Sequence, residues 1–290
     1  MSSPVWLVTG VSHGFGEILA HQVLGAGHRL IGTVRNKTKA AKVVQEIEAK
    51  GGKIIELDST ESQSNVIAKV EAAVQIYGHV DILVNNAGYA GLGVMEALSE
   101  DGILRQFKTN VFGPLYVIQG VLPSMRNRKS GMIVNVSSYA GIFSSPATGL
   151  YASSKFALEA VTESMAAETA AFGIKWLLPE FGTFRTNLLG KDARTAPEKG
   201  MPAAYKGTDA EKQFDVVTGW DQKQLGDPFK GVQRLFDIIT STGDAVGLRD
   251  KVLRVPIGAD SISIITQKIG SVKHDLDLAK ALEEAHSTAV

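Results

Sequence analysis

The stretch GLYASSKFALEA, residues 149–160, sets Tyr151 and Lys155 four positions apart at the start of a helix-like run. Positions i and i+4 of a helix share a face, so the phenol and the ammonium would point the same way. A free tyrosine titrates near ~10. A cation beside it favours the phenolate, which predicts a lowered value and a side chain tuned to exchange a proton. The same spacing also serves an exposed pair on a solvated face, with Phe156 and Leu158 packing behind. A second chemically suggestive stretch is TGVSHGFG, residues 9–16, directly after the apolar run VWLVT. There Gly10 would allow a tight turn, Gly14 a close backbone approach to a pyrophosphate, and Gly16 close packing of a helix on a strand. Free N–H groups and the helix dipole at that end favour a phosphate. Ser12, His13 and Phe15 belong to the same expected site, with Ser12 and His13 offering further phosphate contacts. His13 is not expected to bind a metal.

Both stretches need elements to position them. VWLVT (5–9), HRLIGTV (28–34), KIIELD (53–58), VDILVNNAG (80–88), GMIVNVSS (131–138), IKWLLP (174–179) and KVLRVPIG read as strands. Helix-like runs alternate with them: EILAHQVLGAG, TKAAKVVQEIEAK, SNVIAKVEAAVQIYG, a long helix over about 100–127 with Pro114 and Pro123 at kinks or its end, the Tyr151 helix to about Phe172, and DPFKGVQRLFDIITS. Wholly apolar strands alternating with helices predict an α/β fold, a doubly wound parallel sheet with helices on both faces. No linker, repeat or low-complexity tract divides the chain, so a single domain over 1–290 is expected. The stretch 188–226 is polar and rich in Gly, Lys, Asp and Thr; a long excursion of that kind predicts a lid or mobile loop over the substrate. Residues 259–290 read as one or two closing helices.

Bulk composition excludes several functions. Among 290 residues, Lys+Arg and Asp+Glu both number 30 and 44% are hydrophobic, so no basic field is visible and no nucleic-acid partner is expected. Cysteine is absent, which rules out disulfides and thiolate metal sites and is compatible with a reducing compartment; the expected location is the cytoplasm. The opening Met-Ser-Ser-Pro runs too quickly into the first strand for a signal peptide, and no apolar run approaches the ~18 residues of a membrane span, so no membrane partner is expected.

The end of the second strand bears on which dinucleotide would bind. An acidic residue there would hydrogen-bond the adenine ribose of NAD. This chain has GTVRNK instead, and the planar fork of Arg35 suits a 2′-phosphate, which predicts NADP(H). An exposed surface arginine is the alternative.

Taken in order, the motifs closely resemble the short-chain dehydrogenase/reductase family over almost the whole chain, most strongly over 5–188. They are TGVSHGFG, NNAG at 85–88, Asn110 in KTNVFG, Ser138 in IVNVSS, and Tyr151-x-x-x-Lys155, with Ser138 preceding Tyr151 by the family's usual gap. The resemblance implies roles. Asp58 would hold the adenine amino group. Asn86, Ala87 and Gly88 would line the adenosine ribose and support the central sheet. Asn110 would hold a water of a proton relay. Ser138 would hydrogen-bond the substrate oxygen, Tyr151 would exchange the proton and Lys155 would bind the nicotinamide ribose. The chemistry agrees, since hydride transfer to a carbonyl leaves an alkoxide that needs a proton and pre-placed donors. After the sixth strand the family has a Pro-Gly pair, whereas this chain reads PEFGTFRTN (179–187). Aligning Gly182 and Thr186 puts Phe181 where proline is expected. The Phe184 backbone and the Thr186 hydroxyl would still reach the nicotinamide carboxamide. Pro179 would move the rigidity upstream, and Phe181 would otherwise be a core aromatic.

The expected substrate is a small carbonyl or alcohol compound. Its walls would be Tyr89, Leu92, Ala140, Ile142, Phe143 and Pro146, closed by Phe184 and Leu188, a mostly apolar set that points to an apolar or aromatic ketone. The expected activity is NADPH-dependent reduction of a ketone or aldehyde to an alcohol. The alternatives are an NAD-linked secondary-alcohol dehydrogenase, a nucleotide-binding regulator, and a non-redox enzyme on the same fold. Family members are often homodimers or homotetramers, so either is an expected assembly.

Overall fold

The computed structural model describes residues 3–190, 194–197 and 200–280. The strands are β1 (Val5–Val8), β2 (Arg29–Val34), β3 (Lys53–Glu56), β4 (Ile82–Asn85), β5 (Ala90–Gly91), β6 (Gly131–Asn135), β7 (Ser137–Ser138), β8 (Ile174–Phe181), β9 (Arg194–Thr195) and β10 (Arg254–Ile257). The α-helices are α1 (Gly14–Gly25), α2 (Ala41–Ala49), α3 (Gln63–Gln75), α4 (Glu100–Phe107), α5 (Gly113–Arg128), α6 (Gly149–Thr169), α7 (Asp209–Gly219), α8 (Pro228–Thr240) and α9 (Ala259–Lys280). The main sheet is parallel, in the order β10-β8-β6-β4-β1-β2-β3, with β7 paired to the end of β8.

Because the inner strands β1 and β4 are buried on both faces, their apolar runs are unbroken, whereas the edge strands β3 and β10 are only partly buried. On one face Leu19 and Val23 of α1, Ile47 of α2, and Leu235 and Ile238 of α8 pack on Trp6 and Val8. On the other, Val70 of α3 and Val117, Ile118 and Met125 of α5 pack on Leu7, Leu83 and Ile133. The chain winds from β1 outward to β3, then returns to lay β4 on the other side of β1. Strand-end loops diverge at that reversal, and the crevice there is where such sheets bind ligands. The expected single-domain, doubly wound fold is therefore the observed one.

The differences are local. The expected helix over 100–127 is broken. After α4, capped by the Ser99 hydroxyl accepting from Gly102 N at 3.2 Å, one π-helical turn spans Lys108–Phe112 before α5 begins with Pro114 in its first turn. Pro123 lies inside α5. The sixth strand does not stop at Pro179 but runs to Phe181, pairing Pro179 with Val255 and Phe181 with Ile257. The polar excursion is not featureless. β9 pairs with β5 in a small separate sheet, and α7 is a regular helix. A single closing helix, α9, fills 259–280; the rest of that expectation, 281–290, lies outside the described residues. Among the described residues no helix is long and apolar enough to cross a membrane.

Candidate active site

The C-terminal ends of the strands open into a cavity of about 1830 Å3. Its β1–β4 side is lined by Gly10, Ser12, His13, Gly14, Phe15, Arg35, Asp58, Asn86, Ala87 and Gly88. Its β6–β8 side is lined by Ser138, Ala140, Phe143, Tyr151, Lys155, Gly182, Phe184, Thr186 and Leu188, with Tyr89 and Leu92 between. The residues singled out from sequence thus converge from distant segments.

The glycine turn is built by backbone. Gly10 and Gly14 take φ of +72° and +62°, the left-handed region that side chains avoid. The Thr9 hydroxyl accepts from Asn86 N and Ala87 N, both at 3.0 Å, and Asn86 Nδ2 donates to Thr9 O and Gly10 O at 2.9 and 3.1 Å. The end of β4 therefore grips the turn after β1. His13, the N-cap of α1, makes no side-chain cap bond, which leaves the first N–H groups of the helix to a ligand. Burial pushes the His13 imidazole down, with Glu17 opposing and the Arg35 charge adding to the fall, so the ring is neutral at pH 7. Arg35 is exposed and shares its end of the cavity with Lys39, a second cation that motif reading passed over. Asp58 turns one carboxylate oxygen to Thr60 N and Oγ1, at 2.9 and 2.8 Å.

The chemical residues are carried by α6 and β7. Lys155 is buried, and its Nζ donates to Val136 O at 2.7 Å while lying 5.8 Å from the centre of the Tyr151 ring. Burial lowers Lys155 to about 8, opposed by Glu159 one turn further on. The expected lowering of Tyr151 is corrected here. Burial pushes its phenol up, a hydrogen bond with Ser138 pulls it partway back, and Tyr139 adds to the rise. The reason is dehydration. A phenolate at this point would lose water without gaining a contact with the ammonium, which is held by Val136 O and balanced by Glu159. Tyr151 is thus a protonated phenol at neutral pH. Ser138 Oγ donates to Phe181 O at 3.1 Å and accepts from Ala140 N at 3.2 Å, so β8 fixes its place.

Four expected residues do not line the cavity. Gly16 lies below it, where an added Cβ would strike Gly10 O and come within 2.5 Å of Asn86 Nδ2. Asn110 sits in the π turn, its amide committed to protein. Oδ1 accepts from Tyr89 N at 3.2 Å, and Nδ2 donates to Tyr89 O and Ser154 Oγ, both at 3.1 Å. Its side chain holds the Tyr89 segment rather than facing the ligand space. Ile142 and Pro146 are corrected as wall residues. The short 3-10 turn Tyr139–Gly141 aims Tyr139 and Ala140 inward and leaves Ile142 half-buried and Pro146 exposed outside. Phe181 is a core aromatic, with its ring centre 4.3 Å from Phe15 and 5.5 Å from Phe184.

Several positioning residues escaped motif reading. Gln106 holds the Tyr89–Gly91 segment through Gly91 N at 2.6 Å and Tyr89 O at 2.9 Å. Asp260 of α9 accepts from Thr183 N and Oγ1, both at 2.6 Å, fixing the loop after β8. Glu159 accepts from Ser137 Oγ at 2.5 Å and Arg254 Nε at 2.9 Å. Of these only Glu159 left a signal, since it extends the i,i+4 series of Tyr151 and Lys155.

The family description "short chain dehydrogenase" matches residues 4–196. The chain belongs to the short-chain dehydrogenase family. Oxidoreductase claN of Passalora fulva is 43% identical over 219 residues, covering 75% of this chain and 97% of that protein. A solved short-chain dehydrogenase from Streptomyces avermitilis is 33% identical, covers 99% of this chain and 100% of its own, and superposes with a TM-score of 0.83. A metagenomic short-chain oxidoreductase solved in complex with NADP is 28% identical, covers 64% of this chain and 85% of its own, and has a TM-score of 0.59. As a short-chain oxidoreductase, the chain keeps the family's serine, tyrosine and lysine together at the cavity.

Proposed function

We propose that this short-chain oxidoreductase reduces an apolar or aromatic ketone or aldehyde with NADPH. The observation that carries the reading is the enclosed, protonated Tyr151 phenol beside Ser138 and Lys155, in a cavity whose far end presents Arg35 and Lys39. The residues fit a dinucleotide. The positive-φ glycines and uncapped α1 terminus suit a pyrophosphate, and the end of β2 offers cations with no carboxylate at Val34–Lys37. The NADP bound in the metagenomic relative supports the choice of cofactor. The cofactor, when bound, supplies the hydride. Tyr151 delivers its proton to the developing alkoxide, Ser138 orients the oxygen, and the Lys155 ammonium, present below pH about 8, holds the ribose. A phenol held protonated suits the reductive direction.

The test is oxidation of NADPH and NADH in parallel against aryl, alkyl, steroid-like and quinone-like ketones. Turnover with a preference for NADPH is expected, and a preference for NADH would overturn the reading of Arg35. Tyr151→Phe should lower kcat by ~100-fold or more with little change in NADPH affinity; retained activity would remove Tyr151 from the acid role. Arg35→Asp should weaken NADPH binding by about tenfold or more relative to NADH. An equal effect on both cofactors would make Arg35 structural.

A further inference from the structure

The polar turn that follows α7 brings two hydrogen-bond acceptors to the cavity. Asp221 and Gln224 both line it, and Gln224 is 5% exposed. Asp221 Oδ1 and Gln224 Oε1 are buried and have no hydrogen-bond partner among the described residues. A buried acceptor without a donor carries its full desolvation penalty, so such groups are rare unless a ligand completes them. The turn is also firmly placed. Gln222 Nε2 donates to Thr186 O at 3.1 Å, Arg185 guanidinium to Gln224 O at 2.8 Å, Arg185 N to Gly226 O at 3.0 Å and Gly226 N to Thr183 O at 3.2 Å. All four bonds tie it to residues 183–186, which follow closely on Phe181, whose carbonyl accepts from Ser138 Oγ.

We infer that Asp221 and Gln224 form a hydroxyl-recognising end of the substrate pocket. The substrate class is then a ketone whose apolar body carries a free hydroxyl away from the carbonyl. This rests on the reductase reading for the carbonyl end only. The chemistry of the two side chains supplies the rest. An ionised carboxylate can only accept, so its ligand must donate, and an amide oxygen alongside accepts a second donor. Trp220 and Val217 of the same segment also line the cavity and offer apolar contact to the body of such a ligand. The acceptor pair sharpens the purely apolar pocket expected from the wall residues. A site built to bond a hydroxyl discriminates strongly against the analogue lacking it, because its acceptors are then left buried and bare.

The experiment uses the full chain with saturating NADPH. Acetophenone and 2-acetylnaphthalene are compared with their hydroxy derivatives at successive ring positions and with the matching methoxy compounds. At one or more positions the hydroxy compound should exceed both the parent and the methoxy compound in kcat/KM by about tenfold or more. Asp221→Leu and Gln224→Leu should bring that ratio toward one. Calorimetric binding of the matching naphthols against naphthalene to the NADP-loaded protein reads the same preference without turnover. If the naphthol preference is present and lost in the variants while no ketone is reduced, the reductase reading fails and the hydroxyl site stands. Ratios near one at every position in both assays overturn the site. So does a loss of NADPH affinity in Gln224→Leu that matches the loss in substrate binding, since it assigns the acceptor to the cofactor.

Discussion

The turn after β1 and the loop after β8 leave parallel strands at the same edge of the sheet and line the same cavity, yet they are held by opposite means. The first is held from within. Gly10 and Gly14 take positive φ, Gly16 lets α1 close onto the turn, and Thr9 and Asn86 lock it from the adjacent strand end. The second is held from outside. Thr183 hangs on Asp260 of α9, 77 residues on, and Gly226 brackets Phe184 from the far end of the excursion. A turn that must present N–H groups to a phosphate is held by short polar props at the neighbouring strand ends, Thr9, Thr33 and Asn86. A loop that shapes the reacting end can be clamped by side chains from later elements, and its clamps can vary with the substrate it serves.

The sharpest way to break the first arrangement is Gly16→Ala. Its methyl group would fall on the backbone oxygen of Gly10 and within 2.5 Å of Asn86 Nδ2, a side-chain amide already bonded to Thr9 O and Gly10 O. A loss of about 3 kcal/mol or more is expected, with NADPH affinity falling with it. Denaturant unfolding and a cofactor titration check this. A variant of unchanged stability that binds NADPH normally would mean the turn is not held by close approach.

Asp260→Ala tests the second arrangement and should cost less. It removes two charge-assisted hydrogen bonds from Thr183 and vacates space beside Gly182, where an added Cβ would come within 2.5 Å of Asp260 Cγ. The expected loss is about 2 kcal/mol. Turnover should fall while affinity for 2′,5′-ADP, which probes only the Arg35 end, holds. Parallel loss of both would show that the two loops are not independent, and Asp260→Asn, which keeps an acceptor, should recover part of the turnover.

The same contrast explains what was legible in the sequence. Whatever is local could be read. The apolar runs became the seven main strands, and the glycine turn fell where its residues stand, because most of what shapes it lies within a few positions or in the NNAG segment, with Thr33 of β2 bonding Gly10 N and Val11 N. Non-local determinants could not be read. Asp260 and Thr183 are far apart in sequence, as are Glu159 and Arg254, and no spacing joins them. Helix α7 was hidden because its polar, Gly- and Lys-rich surroundings resemble a loop, while its one cavity-facing side offers only residues such as Gln213 and Val217. The π turn that sets Asn110 against Tyr89 depends on which backbone groups that amide meets, and periodicity carries no trace of this. The direction of the Tyr151 shift failed for the same reason. An i,i+4 spacing announces the cation, but burial decides the balance, and burial belongs to the folded chain.

A smaller effect of opposite sign comes from the charges stored behind the β8 loop. Glu180, two residues before Gly182, is 1% exposed and lies 3.5 Å from Arg254 Nε, while Glu159 and Glu163 take the shorter bonds to that guanidinium at 2.9 and 2.6 Å. Burial, with Glu159 adding and Arg254 opposing, raises the Glu180 carboxyl from 4.5 to about 7. The folded chain therefore holds this proton more tightly than the unfolded chain does. The contribution of this group to stability is greatest below about pH 4.5, declines as pH rises through about 7, and is absent above. Glu180→Gln removes that decline and leaves Arg254 its two shorter partners. The variant should match the wild type near pH 4.5 and exceed it at pH 8 by about 1–2 kcal/mol, discounted from the full linkage value for residual solvation and coupling. Urea unfolding at the two pH values measures the difference. A gain of the same size at both would trace the effect to packing rather than charge. A loss at pH 8 would mean that Glu180 is a needed partner of Arg254, making the β8 loop, like the glycine turn, a region with no stability to recover.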